Sequence, residues 1–532
     1  MVFEDEHLLL INKPPGISTH APSPYGSEGI YDWLRHREPR WAKLSIIHRL
    51  DKDTSGLMVF GKTRQANQSL TRQFTDREVD KRYAFLTESR VEAEEFTRRS
   101  EIFRSGACYR SREWREGQPL AETKFSRVRK FKLSESGNTI FAQLWEARPA
   151  TGRTHQIRLH AMEAGIPVLG DSLYDGPKHH RLCLHAQFLG FRHPETGERL
   201  EFTSEPDFGA FPRIALRRAL VSNVETNAYR LVHGAADGCP ENYVECLGDC
   251  LLWENGEGNV DQPAWLSQLA DEMAASCVYR KTRLRSVRQT RVPEASPSLV
   301  SGKQRGGPFG IVENGVRYEL SFQEGYSYGL FLDQRDNRRR LLRNHVAGGF
   351  PLFAEGMTGR RVLNTFAYTC AFSVCAGLAG ATTTSLDLSR KYLDWGRRNF
   401  ALNNMNPDEH DFIFGDVFDW LKRFAKKGRE FDVVLLDPPT FSKAKTTGVF
   451  RAEKDYGRLV SLAVKLVAKN GVMFVSSNAA KLDSEDFLNA VETGVTGEGR
   501  RIIERAYFPQ PPDFPITRDE PGYLKTLWMR VD

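Results

Sequence analysis

Arg361-Val362-Leu363-Asn364-Thr365-Phe366-Ala367-Tyr368-Thr369 is an apolar run ending in a polar, aromatic turn, and Thr382-Thr383-Thr384-Ser385-Leu386-Asp387 is a second run ending on an acid. A helical pattern over 389–403, a third apolar stretch at 431–437 and a fourth at 471–476 continue the alternation. Strand and helix taking turns in this way is the rhythm of a doubly wound parallel sheet. Such sheets bind outside the carboxyl ends of their strands, where Asn364, Phe366, Tyr368, Thr369, Asp387 and Asp437 fall.

Upstream the texture differs. Residues 1–210 read as mainly antiparallel β, with short apolar runs such as Leu8-Leu9-Leu10-Ile11, Leu57-Met58-Val59-Phe60 and Tyr83-Ala84-Phe85-Leu86 between turn residues. Helical patterns interrupt them at 30–37 and 64–75. A basic stretch from Arg213 to Arg218 lies in an expected linker, 211–222. Residues 223–330 read as a small strand-rich α+β unit with a helix near 262–276 and a Pro-, Gly- and Ser-rich loop over 293–310. Residues 331–532 form the α/β part. The expected class is multidomain α+β and α/β, with no internal repeat.

A chain of 532 residues exceeds what one core supports, so several domains are expected. Hydrophobic residues make up 40%, with Phe 33 and Trp 9, which excludes wholesale disorder. Lys+Arg 75 against Asp+Glu 68 gives +7, a balance compatible with a polyanionic partner but too mild to demonstrate one. No apolar run reaches the roughly 18–20 residues a membrane span needs, and Met1-Val2-Phe3-Glu4-Asp5-Glu6 lacks the basic start of a signal peptide, so a cytoplasmic location is expected. Eight cysteines, among them Cys183, Cys370 and Cys375 in apolar runs, suit reduced buried thiols. Cys239, Cys246 and Cys250 match no zinc spacing, and no metal is expected.

His48-Arg49-Leu50-Asp51-Lys52-Asp53-Thr54-Ser55-Gly56 places a carboxylate between an apolar strand and a Thr-Ser-Gly turn. Thr151-Gly152-Arg153-Thr154-His155-Gln156-Ile157-Arg158-Leu159-His160 presents two arginines around a second turn. A carboxylate kept ionised by a buried arginine suits nucleophilic attack, with no metal or redox group required. If the target is a stacked RNA base it must be flipped out, and Tyr83 is the aromatic face available to hold it.

With Asn12-Lys13-Pro14-Pro15-Gly16, Gly170-Asp171 and Leu184-His185-Ala186, these blocks resemble the RluA family of pseudouridine synthases over about the first 205 residues. The resemblance implies that Asp51 is the nucleophile, Tyr83 the stacking residue and a proton acceptor, Arg158 the ion partner of Asp51, and Arg49 the side chain filling the gap left by the flipped base. Asp53 reads as a turn residue, and His48, His155 and His185 as structural hydrogen-bonders. No RNA-binding module precedes the first of these blocks, so target affinity is expected from elsewhere in the chain.

The middle stretch Asn227-Ala228-Tyr229-Arg230-Leu231-Val232-His233-Gly234 with Tyr243-Val244-Glu245 resembles the small domain preceding the catalytic domain in RlmI-type methyltransferases. On an extended strand, Lys281, Arg283 and Arg285 would share one face as a basic stripe for phosphates.

Residues 326–480 resemble the RlmI and RlmK/RlmL group of 23S rRNA methyltransferases: Tyr326-Ser327-Tyr328-Gly329-Leu330-Phe331-Leu332-Asp333-Gln334-Arg335 is shared with that group broadly, while the stretch from Thr382 to Leu393 and Asp437-Pro438-Pro439-Thr440-Phe441-Ser442 resemble RlmK, the branch that makes 7-methylguanosine. The resemblance implies a Rossmann-like class I fold that binds S-adenosylmethionine. Asn364, Phe366, Tyr368 and Thr369 would shape the turn, Asp387, 23 residues after Asn364, the ribose site, and Asp416 the adenine site. Asp437 would serve catalysis and the cofactor, while Pro438, Pro439, Thr440 and Asn478 would contact the methyl acceptor. Methylating carbon-5 of a pyrimidine requires a cysteine thiolate to attack carbon-6, and the two usual cysteine positions hold Thr440 and Asn478. Guanine nitrogen-7 already owns a lone pair, so positioning suffices there. Cys370 and Ala371 stand where the group usually has glycines, which is expected to narrow the cofactor pocket.

The reading is a bifunctional RNA-modifying enzyme making pseudouridine and a methylated base, with RNA, foremost large-subunit rRNA, as partner and neither DNA nor membrane. Three alternatives stay open: an inactive methyltransferase-like half that only binds RNA, a cytosine-5 target, and transfer RNA as substrate.

Overall fold

The computed structural model describes residues 1–106, 108–135, 138–256, 262–283, 295–444 and 448–532. The chain divides into two compact units, residues 1–21, 29–33 and 43–219 in the first and 22–28, 34–42 and 220–532 in the second.

The first unit is built on an eleven-stranded sheet whose main path runs Phe3–Glu4, Leu8–Lys13, Ser55–Gly61, Leu184–Arg192, Asp80–Thr87, Asn138–Pro149, Leu120–Glu135, Glu95–Ser105 and Cys108–Arg112. The pairings are antiparallel except between Ser55–Gly61 and Leu184–Arg192, where His185 faces Ser55 and Ala186 faces Gly56 in parallel register. Gly56 adopts φ +122°, and a Cβ there would lie 2.4 Å from the Ala186 carbonyl oxygen. Only glycine permits that approach. The Ser55–Gly61 strand follows Asp51 directly, so this contact sets the direction of the loop that presents it. Lys13, fully buried, ties the loop from the other side by donating to the Pro14, Ile17 and Lys52 carbonyls at 2.9, 2.9 and 3.0 Å.

In the second unit, a seven-stranded sheet runs Asp411–Phe414, Thr382–Asp387, Arg361–Thr365, Phe431–Leu436, Val467–Ser477, Lys525–Val531 and Ile502–Phe508. The first five strands are parallel, and Lys525–Val531 is antiparallel to both neighbours. Order reverses between Arg361–Thr365 and Phe431–Leu436, which opens a crevice at their carboxyl ends. Helix Val417–Lys426 is capped by Asp416, which accepts from the Asp419 amide at 3.1 Å, and buries Val417, Phe418, Leu421 and Phe424 at helical spacing.

A five-stranded sheet of Ala228–His233, Tyr243–Leu247, Cys250–Gly256, Cys277–Arg283 and Ser298–Gly302 belongs to the same unit. One apolar core continues from Leu252 and Tyr279 through Tyr318 and Leu320 to Val362 and Phe474. Two sequence readings are corrected here. The expected linker is largely a helix, Pro212–Leu220, because Ile214, Leu216 and Leu220 give its basic run a buried face. Within the expected loop, Ser298–Gly302 is a strand, since its backbone pairs with Cys277–Arg283. The helix expected near 262–276 is Ala264–Glu272.

Candidate active sites

Asp51, Tyr83 and Arg158 meet in one cavity of about 90 Å³ in the first unit, with Arg49, Lys81, Arg153 and His155 around them. Tyr83 is fixed by strand pairing on both sides, to Ala186 and to Ala147. Arg158, on helix Gln156–Glu163, places Nη1 3.7 Å from Asp51 Oδ2. Its Nε and Nη2 donate to the two oxygens of Asp171, each at 2.7 Å, and the Asp171 side chain is wholly buried. The guanidinium is thus locked by one carboxylate and shows its remaining edge to the other. Asp171 was visible in the Gly170-Asp171 block, but no sequence spacing reveals that it holds Arg158.

Burial first, and Asp51 second, push the Tyr83 phenol well above its ordinary value. His155, read as a structural hydrogen-bonder, meets Tyr174 Oη through Nδ1 at 2.9 Å and also lines the cavity, with Nε2 3.9 Å from Asp51 Oδ2. His48 and His185 are hydrogen-bonded within the fold. His48 Nε2 accepts from the Val59 amide at 3.1 Å, while His185 joins Ser55 Oγ at 2.9 Å and the Ser204 carbonyl at 3.1 Å. Burial lowers them to about 3 and about 4, so both are neutral.

The crevice of the second unit is a cavity of about 350 Å³. Phe366, Tyr368, Asp387, Asp437, Pro438, Pro439, Thr440 and Asn478 all line it, as the sequence expected. Phe366, Tyr368 and Cys370 take left-handed φ values of 55°, 48° and 61°. Non-glycine residues in that region cost on the order of 1–3 kcal/mol each, and such strain concentrates at ligand sites. The coil turns the Tyr368 amide onto Asp387 Oδ2 at 2.9 Å, while the Ser389 amide reaches Oδ1 at 2.8 Å. Burial, the largest influence, raises the Asp387 carboxyl, and those amides oppose it.

Asn364 and Thr369 do not reach the cavity with their side chains. Asn364 donates to Ser373 Oγ at 2.9 Å and Thr369 to the Gly329 carbonyl at 2.6 Å, because a turn this tight needs internal partners for its polar groups. Cys370 does not narrow the pocket either. Its Sγ packs toward the helix Arg390–Leu402, in the space Gly396 leaves open, where an added Cβ would lie 2.4 Å away, and burial raises the thiol to about 12. Ala371 alone of that pair lines the cavity.

Asp333 and Gln334, given no role from sequence, stand at the polar end beside Asp437. Gln334 Nε2 donates to Asp437 Oδ1 at 3.1 Å, the Ser476 hydroxyl also donates there, and Tyr523 donates to Asp333 Oδ2 at 3.0 Å. Asp437 is raised to about 6, chiefly by burial, with Asp333 adding and Ser476, Arg338 and Gln334 opposing. Asp416 lines a smaller adjoining cleft with Val417 and Phe418, and both clefts share Phe366 and Leu388. This set fits S-adenosylmethionine: a cleft of suitable size, the half-buried Asp387 carboxylate in its lining, and an apolar recess beside Asp416.

The basic stripe does not form as expected. Lys281 is 6% exposed, paired with Glu254 at 2.6 Å and packed 3.9 Å from the Tyr326 ring centroid, because the strand's inner face meets the core. Arg283 is exposed, 4.5 Å from the Tyr243 ring centroid, and Arg285 lies outside the described residues. Among the described residues there is no cluster of three or more metal-ligating side chains, and no helix is long and apolar enough to cross a membrane.

Residues 7–163 match the family model for RNA pseudouridylate synthase, and residues 264–530 that for S-adenosylmethionine-dependent methyltransferase. A ribosomal RNA large subunit methyltransferase of Deinococcus radiodurans is 31% identical over 332 residues, 60% of this chain and 76% of the relative. Ribosomal RNA large subunit methyltransferase K of Neisseria meningitidis is 32% identical over 228 residues, 42% and 61% of the two chains. Methyltransferase I of Escherichia coli is 29% identical over 315 residues, 57% and 75%. The chain belongs to the S-adenosylmethionine-dependent methyltransferase family and carries an RNA pseudouridylate synthase domain ahead of that region.

Proposed function

We propose that this enzyme modifies RNA twice, isomerising uridine to pseudouridine at Asp51 and methylating a base, guanine at nitrogen-7, in the crevice beside Asp437, with large-subunit ribosomal RNA as substrate and the cytoplasm as its location. One observation supports the double reading: each unit, taken by itself, has a cavity lined by the carboxylate its chemistry requires. In the first, Asp51 attacks C1′ with the Arg158 guanidinium 3.7 Å from its carboxylate, Tyr83 stacks the extruded base, and Arg49, exposed at the rim, takes the place the base vacates. In the second, Asp387 binds the ribose hydroxyls, Asp416 and its apolar recess the adenine, and the Phe366–Tyr368 coil the methionine moiety.

Bound S-adenosylmethionine supplies an electrophilic methyl group. The chain's residues orient the acceptor: Pro438 and Pro439 fix the strand end, Thr440 and Asn478 flank the base, and Asp437 accepts from its amino edge. No cysteine lines the crevice among the described residues, which favours a nitrogen that already owns a lone pair over carbon-5 of cytosine. The name of the Neisseria relative places it in the K branch, and the names of all three relatives specify large-subunit ribosomal RNA.

Mass spectrometry of ribosomal RNA from cells with and without the gene tests the proposal. Loss of one pseudouridine and one 7-methylguanosine from the large-subunit RNA is expected. Loss of 5-methylcytidine instead would overturn the guanine assignment, and absence of S-adenosylmethionine binding by calorimetry would leave the second unit as an RNA-binding module.

A further inference from the structure

The amino-acid end of S-adenosylmethionine is a zwitterion, a carboxylate beside an ammonium. A crevice that takes this end out of water must offer each charge its opposite. Among the described residues the lining of the second unit's crevice holds three acids, Asp333, Asp387 and Asp437, and a single cation, Arg338. The acids suit the ammonium and the ribose hydroxyls but repel the carboxylate, which leaves Arg338 to meet it.

Arg338 stands on helix Arg335–Leu342 with 2% of its surface exposed. Its Nε and Nη2 donate to the two oxygens of Glu313 at 2.6 and 2.7 Å, and Nη2 also reaches the Phe331 carbonyl at 2.8 Å. Nη1 makes no hydrogen bond among the described residues. Arg158 is held in the same way in the first unit, where a buried carboxylate locks Nε and Nη2 and leaves Nη1 for a second anion. A second feature converges on Nη1. The Phe372 ring centroid lies 5.9 Å from the Arg338 guanidinium carbon, and Ala371 and Phe372, both in the lining, open the helix Ala371–Leu378. The side chain of Cys370, the residue before them, caps none of the helix amides, so the first N–H groups and the positive end of the dipole stand open to an anion.

We propose that Arg338 Nη1, with the open end of helix Ala371–Leu378, binds the carboxylate of the methionine part of S-adenosylmethionine. Glu313 is then a positioning residue that fixes the guanidinium in the pose the carboxylate needs, and the acids at the polar end are left for the ammonium. Arg338 thereby selects ligands that carry the whole amino acid over those that carry only the nucleoside and sulfur.

This inference rests on the cofactor assignment and is separable from it by calorimetry on the full-length protein with two ligands that differ by one group, S-adenosylmethionine and decarboxylated S-adenosylmethionine. The unaltered protein is expected to bind the decarboxylated form on the order of 10- to 100-fold more weakly, the worth of a charge-assisted hydrogen bond. Arg338→Ala alone strands Glu313 as a buried charge, so the variant to use is the pair Arg338→Met with Glu313→Gln, which removes both charges together. In that pair, with folding checked by thermal melts, affinity for S-adenosylmethionine should fall to that for the decarboxylated form, and the two ligands should bind alike. Equal binding of both ligands by the unaltered protein would overturn the proposal, as would full discrimination surviving in the folded pair. Should the pair fail to fold, a crystal of the unaltered protein with S-adenosylhomocysteine decides: a carboxylate within hydrogen-bond distance of Arg338 Nη1 is expected, and a carboxylate bound elsewhere overturns the assignment. No binding of S-adenosylmethionine or S-adenosylhomocysteine by the unaltered protein would instead overturn the cofactor assignment itself.

Discussion

Asp171 shows how far Arg158, the proposed ion partner of Asp51, depends on a residue outside the cavity lining. Arg158 is buried and would be an uncompensated charge without its bidentate partner, and breaking such a pair costs roughly 3–5 kcal/mol. Asp171→Asn is expected to lower the midpoint of unfolding and to reduce pseudouridine formation at least about tenfold by freeing the guanidinium from its fixed pose. Thermal melts and RNA mass spectrometry check the two effects. Asp437 makes a prediction in pH. Its folded value, raised from 3.8 to about 6, means that the folded chain prefers the protonated group. Stability from that preference is complete below 3.8 and is lost as pH rises through about 6. Under the role proposed for Asp437, methyl transfer uses the carboxylate and should run the other way, falling about tenfold per pH unit below that value. A rate profile flat from pH 7 to 5 would exclude Asp437 as an ionised participant. Asp51, Asp387 and Asp437 were all legible as chemistry in the sequence. The groups that hold them in place were not, since Gln334 and Ser476 reach Asp437, and Asp171 reaches the Arg158 beside Asp51, only through folding.

At the level of elements, position in the chain and position in space diverge most at turns and faces. Gly56 belongs to the block that names Asp51, and its role is steric, since the Ser55–Gly61 strand can run beside Ala186 only without a Cβ. Gly56→Ala is expected to cost roughly 1–3 kcal/mol and to remove pseudouridine by shifting the Asp51 loop, with methylation retained. A variant with normal stability and activity would refute that account. The Cys277–Arg283 strand was legible as a strand with alternating faces, but alternation does not say which face is covered. Lys281→Ala should therefore destabilise the chain by leaving Glu254 without its cation, whereas Arg283→Ala should leave stability unchanged and weaken RNA binding with a shallower salt dependence. Filter binding across a salt series, with melts alongside, distinguishes the two.

For the whole molecule, the two cavities lie in separately packed units with no lining residue in common. Asp51→Ala should abolish pseudouridine and spare methylation, and Asp437→Ala should do the reverse. If either substitution removes both products, the sites are not independent. The sequence by itself determined the strand–helix rhythm of the second unit, the mainly antiparallel first unit and the order of the chemical motifs, because periodicity and turn residues are local properties. Tertiary structure alone decided that Cys370 packs toward Gly396 instead of into the cofactor cleft, that Lys281 is an interior ion pair, and that His155 stands beside Asp51. Each of these depends on which side chains from distant strands exclude water from a given atom, and that exclusion exists only after the chain has closed on itself.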